Sequence, residues 1–212
     1  MSSNSPVLDR LQAGSGIADD LLAKLIHCGA VTRLSVEARL ELFQTVRAKE
    51  AEGYHLVQAD GTLELLVRQA AQPGASSFKV LGYEVTNRMR AALGFETTAQ
   101  VTVEARGTIL TAHTSGHGSV NTLDVALRRS LATIYQSIGK VKLVDYHVRM
   151  LGPGAGTAAR VRVSIHWSDG DDSWTTAGVS EDIIEASWLA LSDAIRLELM
   201  RLRETNPSIC PV

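Results

Sequence analysis

Residues 173–191 read SWTTAGVSEDIIEASWLAL, and this stretch decides the fold. Its first part, Trp174 to Ala177, has the composition of a short strand. Gly178 then marks a turn, and we expect this glycine to need a positive φ angle. Beyond the glycine, apolar residues return at the spacing of an amphipathic helix, at Ile183, Ala186 and Leu191. The stretch therefore predicts a strand, a glycine turn and a helix, in that order.

The same order of elements occurs earlier in the chain, at a constant offset of 60 residues. Gly118 takes the place of Gly178, and the apolar helix positions become Leu123, Ala126 and Leu131. The matched strand positions are Val101 and Val103 with Val161 and Val163 and, after a length change in a loop, Leu81, Tyr83 and Val85 with Val144, Tyr146 and Val148. Such a repeat indicates one supersecondary unit used twice, because neither copy alone buries its apolar face. We predict an α+β fold of two tandem strand-rich units that each end in a helix, in βββα order.

Composition and pattern divide the chain into three parts. Residues 1–34 form a variable, Ser/Gly-rich and partly disordered N-terminal segment, with a short apolar stretch at 17–26. Residues 35–72 form a small helical linker subdomain, and residues 78–205 hold the duplicated α+β domain. The boundary falls in the sequence QPGASS at 72–77, because Pro, Gly and Ser each break regular structure.

Within the linker subdomain we predict two helices. Ser35 is a typical N-cap and Gly53 a typical C-cap for the first helix. The positions that we expect to face the core are Val36, Leu40, Phe43 and Val46. A brief extended piece at 54–57 follows, and the second helix opens at Asp60.

In the duplicated domain we predict six strands and two helices. The strands lie at 78–85, 100–104, 108–113, 142–150, 158–167 and 174–177. The helices cover about 119–138 and about 180–203. Asp169-Gly170 supplies a hairpin turn between the last two strands.

The composition excludes several classes of protein. The chain has 212 residues, 45% of them hydrophobic, which suffices for a folded core. Its net charge of −2 argues against a nucleic-acid partner, because nucleic-acid-binding proteins usually carry a stripe of basic residues. No apolar run reaches the ~18 residues of a membrane span, and no secretory signal is visible at the start. We interpret Cys28 and Cys210 as reduced structural thiols and expect a cytoplasmic protein.

No catalytic, metal or cofactor site emerges from residue spacing. His113 and His117 stand four apart, but the glycines around them make a helical zinc site improbable. The glycines at 152–156 lie between two predicted strands and form a connector rather than a phosphate loop. The carboxylates at 169–172 fall in a hairpin turn, where solvated acids are usual. We expect no catalytic residue, no metal and no cofactor.

The two glycine-marked helix starts are more informative. Residues 119–121 and 179–181 each follow a strand and a glycine, which leaves backbone N–H groups and the positive end of a helix dipole at the sheet edge. Such a position suits a small carboxylate, although ordinary helix capping is the simpler explanation from the residues alone.

The chain also resembles a known family. The stretches that carry the resemblance are SWTTAGVSEDIIEASW at 173–188, GSVNTLDVAL at 118–127, KLVDY at 142–146, GTAA at 156–159, EGY at 52–54 and LELLVR at 63–68. They resemble the C-terminal regulatory domain of (R)-citramalate synthases, which 2-isopropylmalate synthases also carry in related form.

This resemblance implies a function. Enzymes of the family condense acetyl-CoA with a 2-oxo acid in a metal-dependent TIM barrel, and their regulatory domain dimerises and binds isoleucine or leucine as a feedback inhibitor. The ligand is expected between sheets and helix starts at the dimer interface. The positions that the resemblance assigns to ligand binding are Tyr83, Val120, Asn121, Leu123, Tyr146, Ser180, Asp182 and Ile183.

Three hypotheses follow. Because the resemblance includes no barrel, we expect a stand-alone or truncated regulatory domain that is not an enzyme by itself. As a homodimer it would sense a branched-chain amino acid and control a separate barrel-containing synthase subunit. The second hypothesis is a dimerisation scaffold without sensing, or a relic of a truncated acyltransferase. The third is that the helices near 35–70 complete the active site of another subunit.

Overall fold

Two three-stranded antiparallel sheets, each followed by a helix, make up most of the computed structural model, which describes residues 19–27, 31–74, 76–91, 94–135, 138–152 and 159–205. The helices are α1 (Asp19–His27), α2 (Val36–Glu52), α3 (Asp60–Ala71), α4 (Ser119–Leu131) and α5 (Ile183–Thr205), with a 3-10 helix at Val31–Arg33. The strands are β1 (Lys79–Arg90), β2 (Gly94–Ala105), β3 (Thr108–Gly116), β4 (Lys142–Leu151), β5 (Arg160–Ser168) and β6 (Ser173–Ser180). Sheet 1 has the order β1-β2-β3 and forms unit 1 with α4, while sheet 2 has the order β4-β5-β6 and forms unit 2 with α5. The predicted α+β fold of two βββα units is confirmed.

The strand pairing aligns the central strands of the two units at an offset of 64 residues, so the predicted offset of 60 is wrong. Val101 lies opposite Tyr83 in sheet 1, and Ile165 lies opposite Tyr146 in sheet 2. Each outer strand also has a register irregularity shortly before its tyrosine, between residues 80 and 82 and between residues 143 and 145. The predicted match of the two outer strands is therefore confirmed.

The helices show why the offset was misjudged. At 64 residues, buried Leu127 of α4 matches buried Leu191 of α5, whereas at 60 residues buried Leu123 would match exposed Ile183. A slip of four residues preserves the alternation of a strand and nearly preserves the face of a helix, since these repeat every 2 and about every 3.6 residues. The apolar pattern alone therefore fits both offsets.

Gly178 lies inside β6, so the predicted turn at this position is wrong. Its φ lies outside the left-handed region. A Cβ at this position would lie 2.0 Å from the carbonyl oxygen of Ala186 in α5 and 2.8 Å from Leu189 Cβ. The counterpart in unit 1 is Thr114, whose Oγ1 instead donates to the carbonyl of Thr122 at 3.0 Å. The glycine therefore permits the close approach of α5 to β6.

The predictions for the first long helix are partly correct. Ser35 caps α2, because its Oγ accepts a hydrogen bond from Ala38 N at 3.2 Å, and Gly53 ends the helix with a φ of 101°. Of the four expected core positions, Phe43 and Val46 are buried. Val36 and Leu40 are exposed. The predicted extended piece at 54–57 is wrong, because residues 56–58 lie in a turn in which the carbonyl of His55 accepts hydrogen bonds from Gln58 N and Ala59 N.

Several element boundaries differ from the predicted ones. The β1–β2 hairpin is longer, since β1 continues to Arg90 and β2 begins at Gly94. Helix α4 ends at Leu131 instead of 138, and α5 begins at Ile183 instead of near 180, because β6 continues through Ser180. The predicted hairpin turn at 169–170 is confirmed. Both cysteines, residues 1–18 and most of the connection at 152–156 lie outside the described residues.

Each helix covers its own sheet, and the two helices meet in a shared core. Helix α4 packs mainly on β2 and β3, α5 packs on β5 and β6, and α4 touches α5. Fully buried side chains from both units fill this core, including Val101, Leu127, Ile165, Trp167 and Leu191.

The helical segment, formed by α1, α2 and α3, covers the face of sheet 2 that points away from α5. Ala177 and Val179 of β6 share a second core with side chains of α2 and α3. Two side chains of α3 also accept hydrogen bonds along the free edge of β6: Asp60 Oδ1 from Thr175 N at 2.7 Å, and Thr62 Oγ1 from Ala177 N at 2.9 Å. No described helix packs on the corresponding face of sheet 1. Strand β6 is therefore buried on both faces, whereas β3 is not.

Candidate ligand site at the helix starts

The start of α4 has open backbone donors. Gly118 precedes the helix with a φ of 84°, no side chain caps it, and its first turn carries no acidic residue. Polar side chains surround it: Asn87 Nδ2 donates to Ser119 Oγ at 2.9 Å, and Thr97 Oγ1 donates to Asn87 Oδ1 at 2.8 Å. The exposed Asn121 adds an amide group in the first turn. This start suits a negatively charged group, as its sequence predicts.

The start of α5 is closed by its own side chains. The carboxylate oxygen Oδ1 of Asp182 accepts hydrogen bonds from Ile184 N at 2.6 Å and Glu185 N at 3.0 Å. Ser180 Oγ accepts from Asp182 N at 3.2 Å and donates to Glu185 Oε2 at 2.6 Å. The expectation of free N–H groups at this second start is therefore wrong, because an N-cap aspartate occupies them.

The two predicted tyrosines contact neighbouring residues of α5, one from each outer strand. The ring of Tyr83 lies 4.7 Å from that of Trp188, centroid to centroid, and Tyr146 Oη lies 2.7 Å from Ser187 Oγ. Burial raises the pKa of the Tyr83 hydroxyl, and the carboxylates of Glu185 and Asp182 raise it further. This end of α5 is consequently acidic, and it suits an ammonium group better than a carboxylate.

The predicted site residues therefore fall into two groups. Five of them lie on or beside the start of α5, namely Tyr83, Tyr146, Ser180, Asp182 and Ile183. The other three belong to α4, where Val120 is half-buried, Asn121 is exposed and Leu123 is fully buried in the core. Leu123 thus supports the site from behind. Among the described residues no hydrogen bond or ring contact joins the α4 group to either tyrosine.

Sequence reasoning missed three residues of this region. Glu185, Ser187 and Trp188 contact the predicted residues but were not assigned to the site. A signal was available, because Ser187 and Trp188 follow Ile183 and Ile184 by four residues and therefore share their helix face.

Apolar surface adjoins the site on both outer strands. Met89 is 70% exposed and Met150 is 63% exposed, although both share the strand face that carries the core residues. Phe95 and Val148 are exposed on the same faces. The helices pack mainly on β2 and β3 in sheet 1 and on β5 and β6 in sheet 2, and they leave these ends of β1 and β4 and the start of β2 bare.

The acidic residues of the β5–β6 hairpin have a structural role. Asp169 Oδ1 accepts hydrogen bonds from Asp172 N at 2.8 Å and Asp171 N at 3.0 Å, and these bonds lower the pKa of its carboxyl. In the described part of the chain no group of three or more His, Cys, Asp or Glu side chains is suited to hold a metal ion. None of the described helices has the length and apolarity required to cross a bilayer.

These features define the class of protein: a duplicated βββα domain with polar helix starts beside uncovered apolar strand surface. Comparison with known proteins supplies the family. Residues 57–198 match the family model of the LeuA allosteric (dimerisation) domain. The chain belongs to this family.

The relatives that the chain matches include (R)-citramalate synthases and a 2-isopropylmalate synthase. The chain is 37% identical to the (R)-citramalate synthase of Aquifex aeolicus over 77% of its own length and 31% of that protein. It is 36% identical to the (R)-citramalate synthase of Geobacter sulfurreducens, over 80% of its length and 32% of the relative. With the 2-isopropylmalate synthase of Acidimicrobium ferrooxidans it shares 28% identity over 95% of its length and 38% of that enzyme. The chain thus spans about a third of the length of the curated relatives it matches, and it corresponds to their allosteric and dimerisation part.

Proposed function

We propose that this domain is a homodimeric feedback sensor that binds isoleucine or leucine and controls a citramalate synthase-like or 2-isopropylmalate synthase-like acyltransferase. The observation that carries the proposal is the match of residues 57–198 to an allosteric (dimerisation) domain. The catalytic barrel would belong to a separate subunit or to a further part of the protein. We retain the cytoplasmic location and the division at 1–34, 35–72 and 78–205 as parts of this proposal.

The dimer interface of this proposal is the bare apolar surface of β1, the start of β2 and β4. Exposed Met89, Phe95, Val148 and Met150 lie on the faces that point to the core elsewhere in each strand. Removing apolar area from water contributes about 25 cal/mol per Å², so covering four such side chains favours association. In a two-fold symmetric dimer, this surface would pack against the same surface of a second copy of the chain.

The two helix starts provide complementary halves of an amino-acid site. The open N–H groups of α4, with the Asn121 amide, suit the ligand carboxylate. The acidic start of α5, with Asp182, Glu185 and the Tyr83 hydroxyl, suits the ligand ammonium group. Half-buried Val120 and exposed Ile183 offer apolar contacts for a branched side chain. In the dimer we expect the α4 start of one copy to approach the α5 start of the other.

Feedback control requires that the amino acid bind two states of the assembly with different affinity. Both tyrosines contact α5, which packs on sheet 2 and on α3, so the ligand site and the linker helix share one element. A ligand that changes the position of the start of α5 would therefore act directly on the helical segment, because α5 packs on α3.

The test is calorimetric titration of the purified dimer with isoleucine and then leucine. We expect saturable binding of one of them, and at least tenfold weaker binding by Asp182→Ala, which removes a carboxylate from the ammonium side. Asp171→Ala is the matched control, because this exposed carboxylate lies in the turn at the opposite end of β6. Absence of binding by both amino acids to a folded dimer would refute the sensing function.

A specific observation favours the scaffold as the second candidate. Asp182 already occupies the N–H groups at one of the two predicted carboxylate sites. A protein that dimerises through β1 and β4, and binds neither amino acid, would be a dimerisation scaffold or the relic of a truncated acyltransferase.

A further inference from the structure

A cleft of about 500 Å³ lies between α3, the β5–β6 hairpin and the C-terminal half of α5. Its lining includes Glu64, Arg68, Val141, Trp174, Glu198 and Leu202, and none of the eight residues assigned to the amino-acid site lines it. The cleft is therefore separate from the amino-acid site proposed above, and its ligand is argued independently of that proposal.

Two buried polar side chains line this cleft without a hydrogen-bond partner. Glu198 is 5% exposed and Trp174 is 3% exposed, yet Glu198 Oε2 and Trp174 Nε1 have no partner among the described residues. The nearest cation to Glu198 is Arg128, whose Nη1 lies 4.0 Å from Oε2, too far for a hydrogen bond. By contrast, Trp167 Nε1 donates to Thr176 Oγ1 at 2.8 Å. Leaving a buried polar atom without a hydrogen bond is unfavourable, so a bound group that pairs both atoms would be stabilised by them.

The arginines of the cleft are already paired. Arg68 Nε donates to Glu64 Oε1 at 2.7 Å and Arg68 also contacts Glu204, while Arg201 Nε donates to Glu64 Oε1 at 2.9 Å. The guanidinium of Arg201 lies 4.4 Å from the ring centroid of Trp174. Their positive charge is consequently neutralised by carboxylates that line the same cleft.

The remaining charge of the cleft is negative. Five acidic side chains line it against three basic ones: Asp169, Asp172 and Glu198 join Glu64 and Glu204, and Lys140 is the one cation besides the two arginines among the described lining residues. Asp172 Oδ2 lies 3.8 Å from Arg201 Nη1, so this arginine is shared between Asp172 and Glu64. Burial, the largest cause, raises the pKa of Glu198 to about 7, Arg128 opposes this, and Asp124 and Asp169 reinforce it. A buried carboxyl that is costly to ionise alone favours a cationic partner. Val141 and Leu202 supply apolar walls.

We propose that this cleft binds a small organic amine with an apolar body and a hydrogen-bond acceptor next to its ammonium group. The ammonium pairs with Glu198, the acceptor takes the N–H of Trp174, and the apolar body lies against Val141 and Leu202. A free amino acid is disfavoured here, because its carboxylate would enter a cleft of negative charge.

The chain offers a direct readout, because its three tryptophans report on three different places. Trp174 lies in the cleft, Trp188 contacts Tyr83 near the start of α5, and Trp167 is buried in the core. We would follow the three indole N–H signals by ¹⁵N NMR, assigned by Trp→Phe variants, during titration with L-leucinamide and, separately, L-leucine. Leucinamide is the probe because it has a leucine side chain, an ammonium group and a neutral amide acceptor.

We expect leucinamide to shift the Trp174 signal saturably at millimolar concentration, and leucine to leave it in place. Glu198→Gln should weaken leucinamide binding at least tenfold. Asp193→Asn is the matched control, because Asp193 lies on the same helix, pairs with Arg196 at 3.3 Å and does not line the cleft. Dispersed spectra of both variants show that each is folded.

Three results would overturn the proposal: no Trp174 shift with leucinamide, an equal shift with leucine, or equal losses in Glu198→Gln and Asp193→Asn. The outcome is independent of the sensing function. A leucine-dependent shift of Trp188 alone would support the helix-start site, while a leucinamide-dependent shift of Trp174 alone would support the cleft.

Discussion

Units 1 and 2 have the same strand order and the same pairing register, but their surroundings differ. In unit 2 the helical segment covers the outer face of the sheet and hydrogen-bonds the free edge of β6, whereas no described helix packs on that face in unit 1. The helix of unit 2 is also longer and begins with an N-cap aspartate, while that of unit 1 begins after a bare glycine. The same fold therefore has two surroundings: sheet 2 is covered by helices on both faces, whereas the described helices cover sheet 1 on one face.

The largest expected difference between the two units comes from substituting Gly178 in β6 and Gly118 before α4. Gly178→Ala should lower the free energy of unfolding by about 3 kcal/mol, because the new Cβ would meet the backbone of α5. Gly118→Ala meets no atom within 4 Å and should cost only about 1–2 kcal/mol, from the positive φ of 84°. Chemical denaturation measures both. A larger loss at Gly118 would refute the close approach of α5 to β6.

A second difference concerns a buried carboxyl that unit 2 alone carries. At the offset of 64 residues, Glu198 corresponds to Ile134 of unit 1. Burial raises the pKa of Glu198 from 4.5 to about 7, so the folded state keeps a proton that the unfolded state releases between these values. The contribution of Glu198 to stability therefore falls as pH rises from about 4.5 to 7.

Glu198→Gln should remove this dependence. At pH 8 the variant should be more stable than the parent protein by about 2 kcal/mol, and the difference should shrink towards pH 4. Denaturation curves across this range measure the effect. Asp193, whose pKa burial raises to about 6, titrates in both proteins and cancels in the comparison. A difference that does not vary with pH would contradict the assignment.

The smallest expected effect is at the strand edges. Thr62→Val removes the acceptor of Ala177 N, so it should cost about 1 kcal/mol and speed the hydrogen exchange of that amide. The control in unit 1 is Thr111→Val, which affects only an exposed hydroxyl pair with Thr102 at 3.0 Å. It should change stability by less than about 0.5 kcal/mol. Equal effects of the two substitutions would mean that α3 does not protect the β6 edge.

Local chemistry made much of the fold predictable. Ser35, Gly53 and the turn at 169–170 act through their own side chains or backbone angles, and these predictions were confirmed. The duplicated fold class followed from the repeated pattern. The offset did not, because a four-residue slip satisfies the strand and helix periods together.

The geometry of the candidate site was less predictable than the fold, even where the residues are close in sequence. The cap at Ser180 and Asp182 lies within a few residues of sequence, yet its effect on the N–H groups depends on side-chain geometry. The contact of Tyr83 with Trp188 joins the two units, and sequence spacing contains no information about it. Gly178 was misjudged for the same reason, since its constraint comes from a helix packed against it.

The bond between Thr62 and Ala177 spans 115 residues, and this separation has a consequence for how the chain folds. During synthesis the helical segment emerges well before β6, the strand that completes its core. Unit 1, made of neighbouring strands and a short helix, can assemble in between, because its contacts are local. Until β6 has been synthesised, the apolar side chains of the helical segment that pack on Ala177 and Val179 stay exposed to solvent. We therefore expect the nascent chain to be most prone to aggregation at this stage.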